Sequence, residues 1–183
     1  MAIINVTLIP DVDAILRDHT VNASTTTALA NYGKGYVFFV TEWNDVNFGG
    51  YYGVSAYGQE ANDGGYQLDI KAEIGDSIRW RATTLTLGFA YQCFIQFFNF
   101  SGTSTLTPLK HTTESISIPT LNSDGTISPK QSDDYYYETT IKSAGYSSYT
   151  VPFSLFGSDG GRVGIFTIDP HIEVPGQSRY SLA

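Results

Sequence analysis

Residues 67–82 read QLDIKAEIGDSIRWRA, and this stretch limits the possible folds more than any other. Leu68, Ile70, Ala72 and Ile74 fall on one side of an extended chain, and Gln67, Asp69, Lys71 and Glu73 on the other. After Gly75-Asp76 the alternation resumes: Ile78, Trp80 and Ala82 against Ser77, Arg79 and Arg81. A two-residue loop at the break would set Ile74 opposite Ser77, apolar against polar on one face. A three-residue loop pairs Ile74 with Ile78 and Ala72 with Trp80. An arch carrying the chain to an opposing sheet also fits, and is favoured because both strands then turn their apolar faces inward from opposite sides. Each solution that fits places Ile70, Ile78 and Trp80 in a core.

The rest of the 183-residue chain has the composition of strands and tight turns. Gly (18), Tyr (13) and Phe (11) are plentiful, and only 15% of residues are charged, too few for long solvated helices. IINVTLI (3–9) reads as an opening strand. PDVDAILRDH (10–19) reads as a helix, with Pro10 and two aspartates at its start and Val12, Ile15 and Leu16 on one face. Residues 20–34 read as a long loop. GYVFFVTEW (35–43), apolar on both faces, reads as a central covered strand. Residues 44–65 are rich in Gly, Asn and Asp and read as turns around one short strand near 51–57.

YQCFIQFFNF (91–100) is the most aromatic segment. Cys93, Ile95 and Phe97 take one face of a single strand and Phe94, Phe98 and Phe100 the other, so it needs cover on both sides. SGTSTLTPLKHTTE reads as a loop, SISIPTL as a short strand interrupted by Pro119, and NSDGTISPKQSDD (122–134) as an acidic, turn-rich loop. YYYETTIKS, YTVPFSLF and RVGIFTI read as strands, Pro152 marking a sheet edge or bulge; DPH bends the chain and IEV closes the fold. With eight to ten strands, one short helix and turns every 8–15 residues, the fold class is all-β: an antiparallel, jelly-roll-like β-sandwich with one short N-terminal helix. Residues 1–175 form one domain and 176–183 a polar tail.

The net charge of −8 argues against phosphate backbones and anionic lipid surfaces, so neither nucleic acid nor membrane insertion is expected. The one close arginine pair, Arg79 and Arg81, reads as an exposed strand face. No run approaches the roughly 18 apolar residues of a membrane span. The N-terminus lacks the basic start and apolar run of a secretory signal, so the cytoplasm is the expected compartment, with signal-less export as the exception.

No catalytic constellation is present in the sequence. His19, His111 and His171 lack metal-ligand spacing, and Cys93 sits among aromatics as a small core residue with no disulfide partner. There is no GxSxG, P-loop or strand-borne GxGxxG. LFGSDGGRVG is a hairpin turn. Most aspartates suit turn chemistry, including Asp11, Asp63 and Asp159. Two sharper readings stand beside that one. Asp124, Asp133 and Asp134 are the best candidates for calcium held by loop carboxylates, without EF-hand spacing. Trp43, Asn44, Asp45, Asn47 and Tyr51, in WNDVNFGGYY, combine aromatic platforms with hydrogen-bonding groups as glycan sites do. No cofactor other than calcium is suggested.

The order of motifs resembles the AidA/PixA family of bacterial inclusion-body proteins. These begin with a strand and a D-x-D-x-I helix start, here Asp11, Asp13 and Ile15. They carry a central G-D-x-I-R-W, here Gly75, Asp76, Ile78, Arg79 and Trp80. They end in G-x-F-x-x-D-P-x-I-x-V, here Gly164, Phe166, Asp169, Pro170, Ile172 and Val174. The likeness spans about residues 3 to 175. It implies a small, soluble, non-enzymatic protein, made in quantity by host-associated bacteria, sometimes as cytoplasmic inclusions and sometimes under quorum-sensing control. It implies no catalytic residues. The methionine-rich character of the best-known inclusion protein does not transfer, because Met1 is the only methionine. The leading expectation is therefore a non-enzymatic protein that associates with itself as a homodimer or larger homo-oligomer. The alternative is a lectin-like glycan-binding module, with or without calcium.

Overall fold

The computed structural model describes residues 1–42, 45–46, 68–86, 90–101, 105–168 and 171–174. Among these, two β-sheets face each other across an apolar core. Strand β1 (Ile3–Pro10) leads into helix α1 (Val12–Asp18), and β2 (Thr26–Ala28) and β3 (Val37–Val40) follow. Then come β4 (Asp69–Lys71), β5 (Ser77–Ala82), β6 (Tyr91–Ile95) and β7 (Asn99–Ser101). The long strands β8 (Lys110–Leu121), β9 (Ile127–Thr140) and β10 (Gly145–Gly157) precede β11 (Arg162–Ile168) and β12 (His171–Val174).

The first sheet runs β3-β1-β5-β9-β8; the second runs β2-β11-β10-β12-β4, with β6 and β7 both paired to β10. The expected sandwich is present, but its pairing is not purely antiparallel: β1/β5, β11/β2 and β12/β4 are parallel. Each parallel pair joins strands far apart in sequence, so the intervening chain can make the crossover that parallel strands require. There are twelve described strands where eight to ten were expected, partly because what read as one aromatic strand is broken in two.

The break at Gly75-Asp76 is the arch. Strand β4 lies in the second sheet and β5 in the first, so Ile70 and Trp80 reach the core from opposite layers. Gly75 sits at φ +97°, a region that favours glycine. Asp76 Oδ2 accepts from the Glu73 amide at 3.0 Å and Oδ1 from the Ala2 amide at 2.6 Å, tying the arch to the chain's first residues. Ile74, expected inward, is instead exposed at the bend. Trp80 is fully buried against Phe98, Phe100 and Tyr149, and its indole nitrogen donates to the Tyr149 hydroxyl at 3.3 Å.

Helix α1 forms as expected, with Asp11 rather than Pro10 at its start: the Asp11 side chain accepts from the Ala14 amide at 3.0 Å. The 20–34 segment is not all loop; it contains β2 and a short 3-10 turn, Ala30–Gly33. Among the described residues strand β3 lies at the edge of its sheet and not at its centre: Val37 and Phe39 are buried while Val40 faces out.

The aromatic segment departs most from its reading. Cys93 and Ile95 on β6 are buried, the ladder breaks at 96–98, and β7 resumes with Phe100 packed on the core. The break shifts the alternation, so Phe98 turns in while Phe94 and Phe97 remain exposed. Pro152 is buried on central β10, not at an edge. Its carbonyl accepts from the Gln96 amide at 2.9 Å, so its donor-less nitrogen points to the side where the β6/β7 ladder is interrupted. The Tyr137 hydroxyl donates to the Gln96 carbonyl, satisfying an oxygen the break leaves unpaired.

Residues 110–134, read as loop, short strand and acidic loop, are almost wholly extended: β8 and β9 pair residue for residue from Lys110↔Glu138 to Leu121↔Ile127. Pro119 does not interrupt the strand because it lies opposite Pro129. The Asn122 amide donates to the Thr126 carbonyl at 2.8 Å, and counting back from that bonded pair makes Pro119↔Pro129 a non-bonded one. Neither proline therefore owes the ladder a donor.

A candidate interaction surface

Strand β5 flanks β9 only from Thr140 to Tyr137. Up to that point the hairpin is part of the sandwich; beyond it, it is an arm. Two side-chain clusters lie at the root, one on each face.

On the outer face, Arg79 Nε donates to Glu138 at 2.5 Å, while Arg81 grips Asp134 through Nε at 2.8 Å and Nη2 at 2.6 Å. Arg81 also donates to the Asn5 side chain at 2.8 Å. The two guanidinium carbons stand 4.6 and 4.7 Å from the Tyr136 ring centroid, and the Tyr136 hydroxyl donates to Glu114 at 2.8 Å. The arginine pair is thus half-buried and partnered, not an exposed face, because β9 supplies both acids and the ring. The bond from Arg81 holds the Asp134 carboxyl below the usual carboxylate range, and Asp134 in turn raises Arg81. Burial, then the bond to Glu114, raises the Tyr136 phenol. The charges are matched within the chain, so this cluster is a clamp on the arm's root.

On the inner face, Tyr135 meets Phe94 edge-on at 5.9 Å, and Phe94 meets Phe156 at 5.7 Å. With Phe97 they rim an open groove of about 500 Å³. Phe94, Phe97 and Tyr135 are 42%, 48% and 37% exposed. Cys93 lies beside a smaller adjoining cavity, but burial pushes its thiol far up, which suits a core residue and not a nucleophile.

Past the root the arm is bare. From Ser115 to Asp133 every residue except Thr120, Asn122 and Ser128 is exposed, and among the described residues no third strand flanks either edge. At 3.3–3.4 Å per residue, the strands carry its tip roughly 30 Å beyond Tyr137. Leu121 and Ile127, at its end, are 68% and 65% exposed.

The calcium candidates do not converge. Asp124 sits in the tip loop, where its Oδ1 accepts from the Thr126 amide at 3.0 Å and hydroxyl at 2.7 Å; those bonds keep its carboxyl below the usual range. Asp133 and Asp134 lie at the root, not in a loop, and on opposite faces of β9, Asp134 being held by Arg81. Among the described residues no three His, Cys, Asp or Glu side chains are grouped to hold a metal. Of the glycan-site candidates, Trp43, Asn44, Asn47 and Tyr51 lie outside the described residues. Asp45 lies beside the arch, near Asp76, its carboxyl raised chiefly by burial and then by Glu42 and Asp76. The arm itself could have been found from the alternation T-E-S-I-S-I, had Pro119 not been read as a stop.

A profile of the family described as "PixA: Inclusion body protein" matches residues 2–174. Among solved structures, the chain is similar to the crystal structure of an inclusion body protein (PixA) from Burkholderia cenocepacia J2315. That likeness covers 95% of this chain and 96% of that one at 17% identity, with a TM-score of 0.71. A cysteine protease inhibitor from Entamoeba histolytica matches at 8% identity and a TM-score of 0.29, covering 58% of this chain and 84% of that one. No curated protein sequence matches significantly. Among the described residues no helix is long and apolar enough to cross a membrane.

Proposed function

Because the chain belongs to the PixA family of inclusion body proteins, we propose that it is a non-enzymatic protein whose partner is itself, and that its homo-oligomer is the unit from which inclusions grow. The observation that carries this reading is the apolar surface left over after the core is complete. Trp80, Phe153 and Phe166 are fully buried, yet Phe94, Phe97, Tyr135, Leu121 and Ile127 face solvent. They form two apolar patches, one at the root and one at the tip of the arm, and exposed apolar clusters on a protein that already has a closed core mark association sites. A single buried cysteine without a disulfide partner suits a reducing compartment, in keeping with assembly in the cytoplasm.

Sedimentation velocity across a concentration series tests the reading. The expected result is a sedimentation coefficient that climbs with concentration at physiological salt. A strict monomer from micromolar to millimolar concentration would overturn it.

A further inference from the structure

A two-stranded ribbon with no third strand and no covering layer is marginally stable in water. Here such a ribbon extends for most of two strands of 12 and 14 residues. Among the described residues no third strand and no layer covers it. Resting on the self-association reading above, we infer that the cover is a second copy of this chain, and that the two copies exchange arms, each tip seated in the groove at the other's root.

The faces of the ribbon carry the argument. Cross-strand register places Pro119, Leu121, Ile127 and Pro129 on one face near the tip. Tyr135 lies on that same face at the root, beside Phe94 and Phe97. Ser115, Ser117 and Gln131 separate these two apolar ends. At 3.3–3.4 Å per residue, Ile127 and Tyr135 are roughly 25 Å apart. A two-fold axis through the polar middle lays each apolar tip on the other copy's aromatic root, so the face is complementary to itself, as an isologous interface must be.

Charge favours the same choice. Two copies each bearing a net charge of −8 repel unless they meet through a surface with few carboxylates. From Ser115 to Asp133 the arm carries only Lys130, Asp124 and Asp133, and only Asp133 lies on the face in question, Asp124 being in the tip loop. Two ribbon faces of this length plus two grooves amount to an area on the order of 1,200 Å², the low end for specific interfaces. The opposed prolines add direction. Both nitrogens of the Pro119↔Pro129 pair point to the ribbon's free edges, where they block strand addition by another chain. The copies therefore meet face to face, and the contact closes on itself.

The test uses the full chain. Leu121 and Ile127 are so exposed that charging them is expected to leave the sandwich intact, checked by a circular dichroism spectrum in dilute solution that matches wild type. The double variant Leu121→Asp/Ile127→Asp is expected to weaken association on the order of a hundredfold, as removal of apolar anchors from both ends of a two-fold contact implies. Separately, two variants with one added cysteine each, Ile127→Cys and Phe97→Cys, are mixed under mild oxidation. Arm exchange predicts a disulfide between the two variants forming at least tenfold faster in the mixture than in either alone. Buried Cys93 stays out of the exchange. If the wild-type chain never associates, the function proposed above fails and this inference with it. If it associates but the charged tip has no effect, or Ile127→Cys cross-links to itself as fast as to Phe97→Cys, arm exchange fails and the broader reading stands.

Discussion

At Tyr137 the β8–β9 hairpin has strand β5 on its flank and the second sheet behind it; at Ile127 it has neither. The same two strands, with the same alternation, pass from one regime to the other within ten residues of β9. At the root, Tyr136 packs against two guanidiniums and Tyr137 meets Phe98 edge-on. At the tip, Leu121 and Ile127 touch solvent. Strand length in this protein is therefore not set by the core alone. The sandwich needs only the root of the hairpin, and the remaining length is what the proposed exchange of arms draws on.

The contrast breaks first if the two regions respond alike to truncation. Trp80→Ala removes the largest buried side chain and is expected to cost about 3–5 kcal/mol, read from the urea midpoint at low protein concentration. Leu121→Ala under the same dilute conditions should stay within about 0.5 kcal/mol. Equal losses would mean the tip is part of the monomer's core.

The root sharpens it next. Asp134→Asn leaves half-buried Arg81 without its carboxylate, and the loss at pH 7 should be about 1–2 kcal/mol, the pair being partly open to solvent. The folded carboxyl titrates below its unfolded range, so its contribution is complete above the unfolded value of about 3.9 and disappears as pH falls through the lower folded one. Wild type and variant should therefore converge in urea melts below about pH 4. A gap that persists unchanged at pH 2 would remove the Arg81 bond as its cause.

Smaller effects follow from the remaining acids. Asp45 has the opposite sign: burial raises it, so its ionisation opposes folding as pH rises past the unfolded value of about 3.9. Asp45→Asn should stabilise the chain by a few tenths of a kcal/mol at pH 7 and not at pH 3, where both forms are neutral. Because Asp124 lies far along the arm from Asp133 and Asp134, millimolar calcium or a chelator should move the melting temperature by less than about 1 °C, whereas saturation of a real site would move it several degrees.

Period-two alternation made most of the sandwich legible. It placed Ile70, Ile78 and Trp80 in the core and favoured the arch at Gly75-Asp76, but a three-residue hairpin loop fitted the same alternation, and the layer change itself is seen only in the fold. Pro10 and the aspartates Asp11 and Asp13 marked the start of the helix, though the capping role of Asp11 emerged only in the structure. The aromatic segment misled because alternation assumes an unbroken strand, and the break at 96–98 exchanges inner and outer faces without any glycine or proline of its own. The arm misled for a different reason: Ser, Thr, Pro and Asp are read as loop residues when a strand is expected to have a buried face, and here neither face is buried. The parallel pairings were invisible because register between distant segments leaves no local trace. For the candidate surface, the segment 91–100 read as a strand needing cover on both sides, whereas Phe94 and Phe97 are exposed, and no local pattern showed that Tyr135 would come to meet Phe94.

Hydrogen exchange measured at two protein concentrations addresses the central claim most directly, since an uncovered two-stranded ribbon opens readily and a covered one does not. Amides from Ser115 to Asp133 should exchange fast in dilute solution and slow markedly in concentrated solution, while those of β5 and β10 stay equally protected in both. Arm amides equally slow at both concentrations would contradict the account, because the monomer would then be holding its own arm.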